Sequence, residues 1–107
     1  MRKLFCIVIT LIYSVTLFAQ ERITLLFVGD LMQHDAQIKA ARTAEGYDYS
    51  DCFRHVKKEI SEADIAIGNL EVTLGGKPYR GYPSFSAPDE CLYAIKDAGL
   101  DVLPTAN

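Results

Sequence analysis

The sequence predicts an α/β protein built on a mostly parallel sheet, and three observations predict it. Short apolar runs alternate with stretches of helical periodicity. The apolar runs are nearly continuous, as strands covered on both faces are, rather than alternating apolar and polar. Each run also gives way to polar residues that a plain core does not require.

The first twenty residues, "MRKLFCIVITLIYSVTLFAQ", stand apart from this pattern. Arg2 and Lys3 make a short basic start, Leu4 to Phe18 are almost wholly apolar, and Ala19 offers a small residue at a cleavage point. This is the layout of a secretory signal peptide over residues 1–19. The apolar stretch falls short of the roughly 20 residues that a spanning helix needs, so a membrane association would run only through an uncleaved leader. Residues 20–107 then read as an N-terminal fragment of a larger domain. Without Arg2 and Lys3, nine Lys and Arg stand against 14 Asp and Glu. That acidic balance argues against nucleic acid as a partner, because phosphate binding needs a basic surface. Cys6 lies in the leader, which leaves Cys52 and Cys91. In an exported chain these two read either as a disulfide or as two buried thiols.

"RITLLFVGD" predicts a strand from Ile23 to Val28, bounded by Gly29. Residues 34–44 predict a short helix, with Asp35 early, Arg42 late and Gly46 as a stop. "DCFRHVKKEISEA" predicts one amphipathic helix with Phe53, Val56 and Ile60 on its apolar face. A second strand spans Ile65 to Ile67 and ends at Gly68. The loop "VTLGGKPYRGYPSFSAP" follows, rich in glycine and proline and long enough to suggest a function. "PDECLYAIKDAG" predicts the next helix, with Pro88, Asp89 and Glu90 suited to its start and Gly99 to its stop. Its apolar face carries Leu92, Ile95 and Ala98, with Cys91 alongside. "LDVLPTAN" closes with a third strand over Asp101 to Leu103.

Right-handed crossovers would set the C-terminal ends of all three strands along one edge, where open α/β sheets bind ligands. Asp30 and His34 follow the first strand, Asn69 and Glu71 the second, and Thr105 to Asn107 the third. Two carboxylates, an amide and an imidazole without a cysteine suit Mn, Fe, Mg or Zn. Each residue also has a plainer reading. Asp30 reads equally as the N-cap of the following helix, His34 as a helix-start residue, Glu71 as a loop carboxylate and Asn69 as a turn former.

"LLFVGDLMQH", "ADIAIGNLEVTL", "FSAP" and "AGLDVLPTAN", in that order, resemble the capsule synthesis protein CapA family, also called the poly-γ-glutamate capsule family. The resemblance covers Ile23 to Asn107. It implies the N-terminal part of a metallophosphatase-like α/β/β/α sandwich, with two divalent ions in the full-length protein. Within it Asp30 stands as the first metal-ligating aspartate and Glu71 as the metal-bridging carboxylate. Asn69 orients that carboxylate or the substrate, and Asn107 is the first asparagine of an Ala-Asn-Asn-His motif. His34 is the third metal-ligand candidate, although the family pattern spaces its first aspartate and histidine more closely than "DLMQH" does. The resemblance further implies metal-assisted hydrolysis or group transfer acting on an anionic surface polymer or its precursor, in the periplasm or cell envelope. In the Tyr/Gly/Pro loop, Arg80 is a candidate to pair a carboxylate or phosphate of that polymer. A non-catalytic envelope protein that binds polymer on the same fold is the alternative.

Overall fold

A computed structural model of the chain describes residues 1–4, 6–9 and 21–106. Residues 2–4 and 6–9 are helical, and the rest of the leader lies outside the described residues. Among the described residues no helix is long and apolar enough to cross a membrane. The order is β1 (Leu25–Leu31), α1 (Asp35–Ala41), α2 (Ser50–Phe53), α3 (Lys57–Ser61), β2 (Ile65–Leu70) and α4 (Asp89–Asp97).

β1 and β2 pair in parallel, Leu25 opposite Ile65 through Val28 opposite Gly68. The third strand predicted at Asp101–Leu103 is reduced to a single parallel bridge, Ile67 with Val102. Its backbone nonetheless runs along β2: Asp101 and Val102 N–H donate to the Ala66 carbonyl, Gly68 N–H to that of Val102, and Leu70 N–H to that of Pro104. The α/β class and the parallel pairing are as the sequence predicts. The described residues carry one two-stranded sheet.

One face of the sheet is covered. Ala66, at 0% exposure, sits with Ile60, Ile95, Ala98 and Leu100, and Leu26, Val28, Leu31, Phe53 and Leu70 close around them. Burying an aliphatic side chain of this size stabilises by roughly 1.5–3 kcal/mol relative to exposure. On the opposite face Leu25 and Phe27 of β1 are exposed, Phe27 at 68%. The strand's side chains alternate across the sheet, so a continuous apolar run must present half its members to the uncovered side.

Other elements also differ from the sequence reading. β1 runs on through Gly29 and Asp30 to Leu31, and β2 through Gly68 to Leu70, so neither glycine ends its strand. Gly68 is there for space: a Cβ at that position would lie 2.7 Å from Val28 Cγ2 and 2.9 Å from Leu31 Cδ1. The predicted amphipathic helix is two short helices, α2 and α3, separated by a turn at residues 54–56. Arg54 N–H donates to Asp51 O and Val56 N–H to Phe53 O, both three residues back, which turns the axis. α2 packs on α4, whereas α3 is tied near the far end of α4 by the Lys57–Asp97 ion pair at 2.7 Å. The turn lets both docks form. It also turns Val56 outward, 47% exposed, while Phe53 and Ile60 stay on the core.

α1 stops at Ala41, earlier than predicted, because Arg42 is extended and bridges antiparallel to Tyr47. α4 begins after Pro88 and ends where Gly99 takes a φ of +103°, as the sequence predicts. Gly99 also packs tightly, since a Cβ there would lie 3.1 Å from Ser61 Cα.

Gly68→Ala is expected to destabilise the fold by about 1–3 kcal/mol, because the new methyl has to displace Val28 and Leu31 in a packed layer. Urea unfolding of the variant beside the parent protein measures this. Equal midpoints would show that the layer under β2 is loose.

Candidate functional site

The site starts from the strand pairing. Val28 lies opposite Gly68, but the next partner of Asn69 is Asp30 and not Gly29. Gly29 is thus an extra residue in β1, a β-bulge, and such bulges re-aim the side chains that follow. Here the shift sets Asp30 directly beside Asn69. Asp30 is part of β1, and His34 takes the position before α1. The reading of Asp30 as a helix cap is therefore replaced by a place at the strand edge.

Asn69 uses its amide twice. Nδ2 donates to Asp30 Oδ1 at 2.9 Å and to Glu71 Oε2 at 2.9 Å. Only an N–H group can donate to two carboxylates, so the orientation of the amide follows from its partners. Both Nδ2 hydrogens are then engaged, and Oδ1 remains as an acceptor. Glu71 is held by its backbone as well, its N–H donating to Leu31 O at 3.1 Å. Among the described residues no Lys, Arg or His forms an ion pair with Asp30 or Glu71. Two carboxylates joined by one amide, with no cation beside them, form an anionic oxygen cluster at the strand edge.

His34 is placed differently. Its carbonyl accepts from Gln37 and Ile38 N–H, and its own N–H donates to Gln37 Oε1 at 2.6 Å, so its backbone starts α1. Its ring meets Phe85 edge-on, centroids 5.5 Å apart. No hydrogen bond joins it to Asp30, Asn69 or Glu71. Asn107 lies outside the described residues. Among those residues no three His, Cys, Asp or Glu gather as a metal-holding group. The donor set present is Asp30, Glu71 and the Asn69 Oδ1 oxygen. Its chemistry fits a hard or borderline divalent ion, for which carboxylate and carbonyl oxygens are the usual ligands.

The loop after Glu71 folds back on itself. Thr73 Oγ1 donates to Phe85 O, Ser86 Oγ to Gly76 O at 2.7 Å, and Arg80 and Ser86 exchange backbone hydrogen bonds at 3.0 Å. Its tip is pinned to α1, where Gly81 N–H donates to Asp35 Oδ1 at 2.6 Å. Tyr82 stands exposed beside Phe85, which connects it to His34 through a row of three rings. Arg80 is exposed and makes no ion pair among the described residues.

Sequence reasoning missed a buried polar pair that lines a cavity with Asp30. Gln33 and Tyr49 are buried, and the Tyr49 hydroxyl donates to Gln33 Oε1 at 2.5 Å. Burial raises the Tyr49 hydroxyl above its ordinary range. Both residues line a cavity of about 180 Å³ that also reaches Asp30. Their separation along the chain left no local signal for the pairing. Asp35, read only as a favourable charge at a helix start, is the anchor of the loop.

A family model described as "Bacterial capsule synthesis protein PGA_cap" matches residues 24–107. The "Capsule biosynthesis protein CapA" of Bacillus anthracis is 32% identical over 93 residues, covering 81% of this chain and 22% of the relative. The chain thus spans about a fifth of the length of that curated relative. No solved structure matches.

Two variants test this arrangement. Asn69→Ala is expected to cost on the order of 1–2 kcal/mol, since it removes two charge-assisted bonds and leaves the carboxylates facing each other. Gly81→Ala places a Cβ 2.6 Å from Asp35 N and 2.9 Å from His34 Cα, both backbone atoms. Thermal unfolding should fall by several degrees for each, and limited proteolysis of Gly81→Ala should cut first within residues 73–87. Parent-like melting and cleavage would show that neither contact holds the site.

Proposed function

Since this chain belongs to the bacterial capsule synthesis protein family, we propose that it supplies ligands to a divalent-metal site for hydrolysis or group transfer on an anionic surface polymer. The observation that supports this most is the Asn69 amide joined to both Asp30 and Glu71 at the C-terminal edge of a parallel sheet. Under this reading Asp30 and Glu71 would hold the metal as its carboxylate ligands. Asn69 is a positioning residue: it fixes which carboxylate oxygens face outward and keeps Oδ1 available to an ion or a substrate hydrogen. A bound divalent ion would supply Lewis-acid charge and a water acidic enough to ionise near neutrality.

The chain's own residues do the rest. The uncompensated carboxylates attract the cation, and the bulge at Gly29 holds Asp30 in place before any ion arrives, which lowers the ordering cost of binding. Arg80 and Tyr82, on the pinned loop, offer an anionic polymer a guanidinium and an aromatic face. His34 starts α1 and packs on Phe85, and under this reading it is the weakest of the three ligands because of its spacing from Asp30. Asn107, matched to the first asparagine of the Ala-Asn-Asn-His motif, would act at the same site. Residues 1–19 act as a leader, and the protein works outside the cytoplasm, in the periplasm or cell envelope.

Metal content of the purified natural protein is the test. Elemental analysis is expected to find one or two divalent ions per chain. Asp30→Ala and Glu71→Ala should each lower that content at least tenfold, while His34→Ala should leave most of it. Parent-like metal in both carboxylate variants would refute the site. A metal-free protein that still retains anionic polymer would instead favour the non-catalytic binding role.

A further inference from the structure

We propose that Cys52 and Cys91 form an oxidisable dithiol that closes a disulfide between α2 and α4. This inference is independent of the metal site and goes beyond the capsule role. Both cysteines occupy the same position, the third residue of their helices, and both N–H groups donate within the first turn, Cys52 to Tyr49 O and Cys91 to Pro88 O at 3.0 Å each. Cα atoms of the two helices come within 8 Å of each other. Both side chains line the same cavity of about 180 Å³, beside Tyr49, Phe53 and Ile95. Both thiols are reduced in the structure, Cys52 exposed and Cys91 half-buried.

Electrostatics agrees with this closeness. Burial, and then the charge of Cys52, push the Cys91 thiol up to about 11. Burial, followed by Asp51 and Asp48, also raises Cys52. Both thiols are therefore protonated near neutrality, and exchange with a small disulfide is slow there.

The chemistry needs an oxidant, and a low-molecular-weight disulfide supplies it. The exposed Cys52 loses its proton and attacks one sulfur of the reagent; the other sulfur leaves as a thiolate and takes up that proton. Cys91 then loses its proton and attacks Cys52 Sγ, expelling the second reagent thiol. Two protein thiols are oxidised to one disulfide, and one reagent disulfide is reduced to two thiols. The bond joins elements separated by the whole of β2 and the long loop, so it restrains a large segment of the unfolded chain.

The experiment incubates the reduced full chain with oxidised glutathione at about pH 9, followed by non-reducing peptide mapping. The expected product is a monomer carrying a Cys52–Cys91 peptide and no retained glutathione, with Cys6→Ser giving the same peptide. The oxidised protein should melt roughly 5–15 °C above the reduced one, and Cys52→Ser or Cys91→Ser should abolish that difference. In Cys91→Ser the reaction should stop at a glutathione adduct on Cys52. Stable glutathione adducts on the parent chain, pairing of either cysteine with Cys6, or intermolecular dimers as the main product would overturn the proposal. The peptide map of the parent decides the matter even where a serine variant fails to fold.

Discussion

The structure turns on one amide. Asn69 Nδ2 holds Asp30 on one side and Glu71 on the other, and it can do so only because β1 and β2 lie in parallel register with one residue to spare. In a regular ladder, residues at successive positions point to opposite faces. The extra residue at Gly29 breaks that alternation just where the strand reaches its polar end. Two like charges would otherwise separate into solvent. Tied to a shared donor, they stay together as an oxygen cluster without a cation from the protein.

That cluster depends in turn on how closely the sheet and the helices approach. Gly68 precedes Asn69, and a side chain there would strike Val28, Leu31 and Leu100. The residue that permits the tight layer is thus next to the residue that organises the site. On the other face Leu25 and Phe27 remain uncovered, as expected where a strand's apolar run is built for cover on both sides.

The loop after Glu71 shows how a glycine- and proline-rich segment gains order without regular structure. Its hydrogen bonds are made largely with itself, and a single carboxylate, Asp35, fixes its tip against α1. His34, Phe85 and Tyr82 then form a row of rings between the start of α1 and the loop. The His34 ring packs edge-on against Phe85, while its backbone starts α1.

The sequence by itself determined the class and the edge. Continuous apolar runs at Leu25–Val28 and Ile65–Ile67 define parallel strands, Pro88 and Gly99 bracket α4, and Asp30, Asn69 and Glu71 fall where strands end, because these signals are local in backbone preference and side-chain period. The tertiary structure decided the rest. Whether Gly29 and Gly68 stop a strand or serve a bulge and a close contact depends on the neighbouring strand and the helix layer. Whether residues 51–63 make one helix or two depends on two separate docks against α4, and the turn between them sends Val56 to solvent. Which of Asp30 and His34 reaches Asn69 depends on register across a pair 39 residues apart. Such contacts leave no periodic trace in the chain, since they arise from groups that meet only once it has folded.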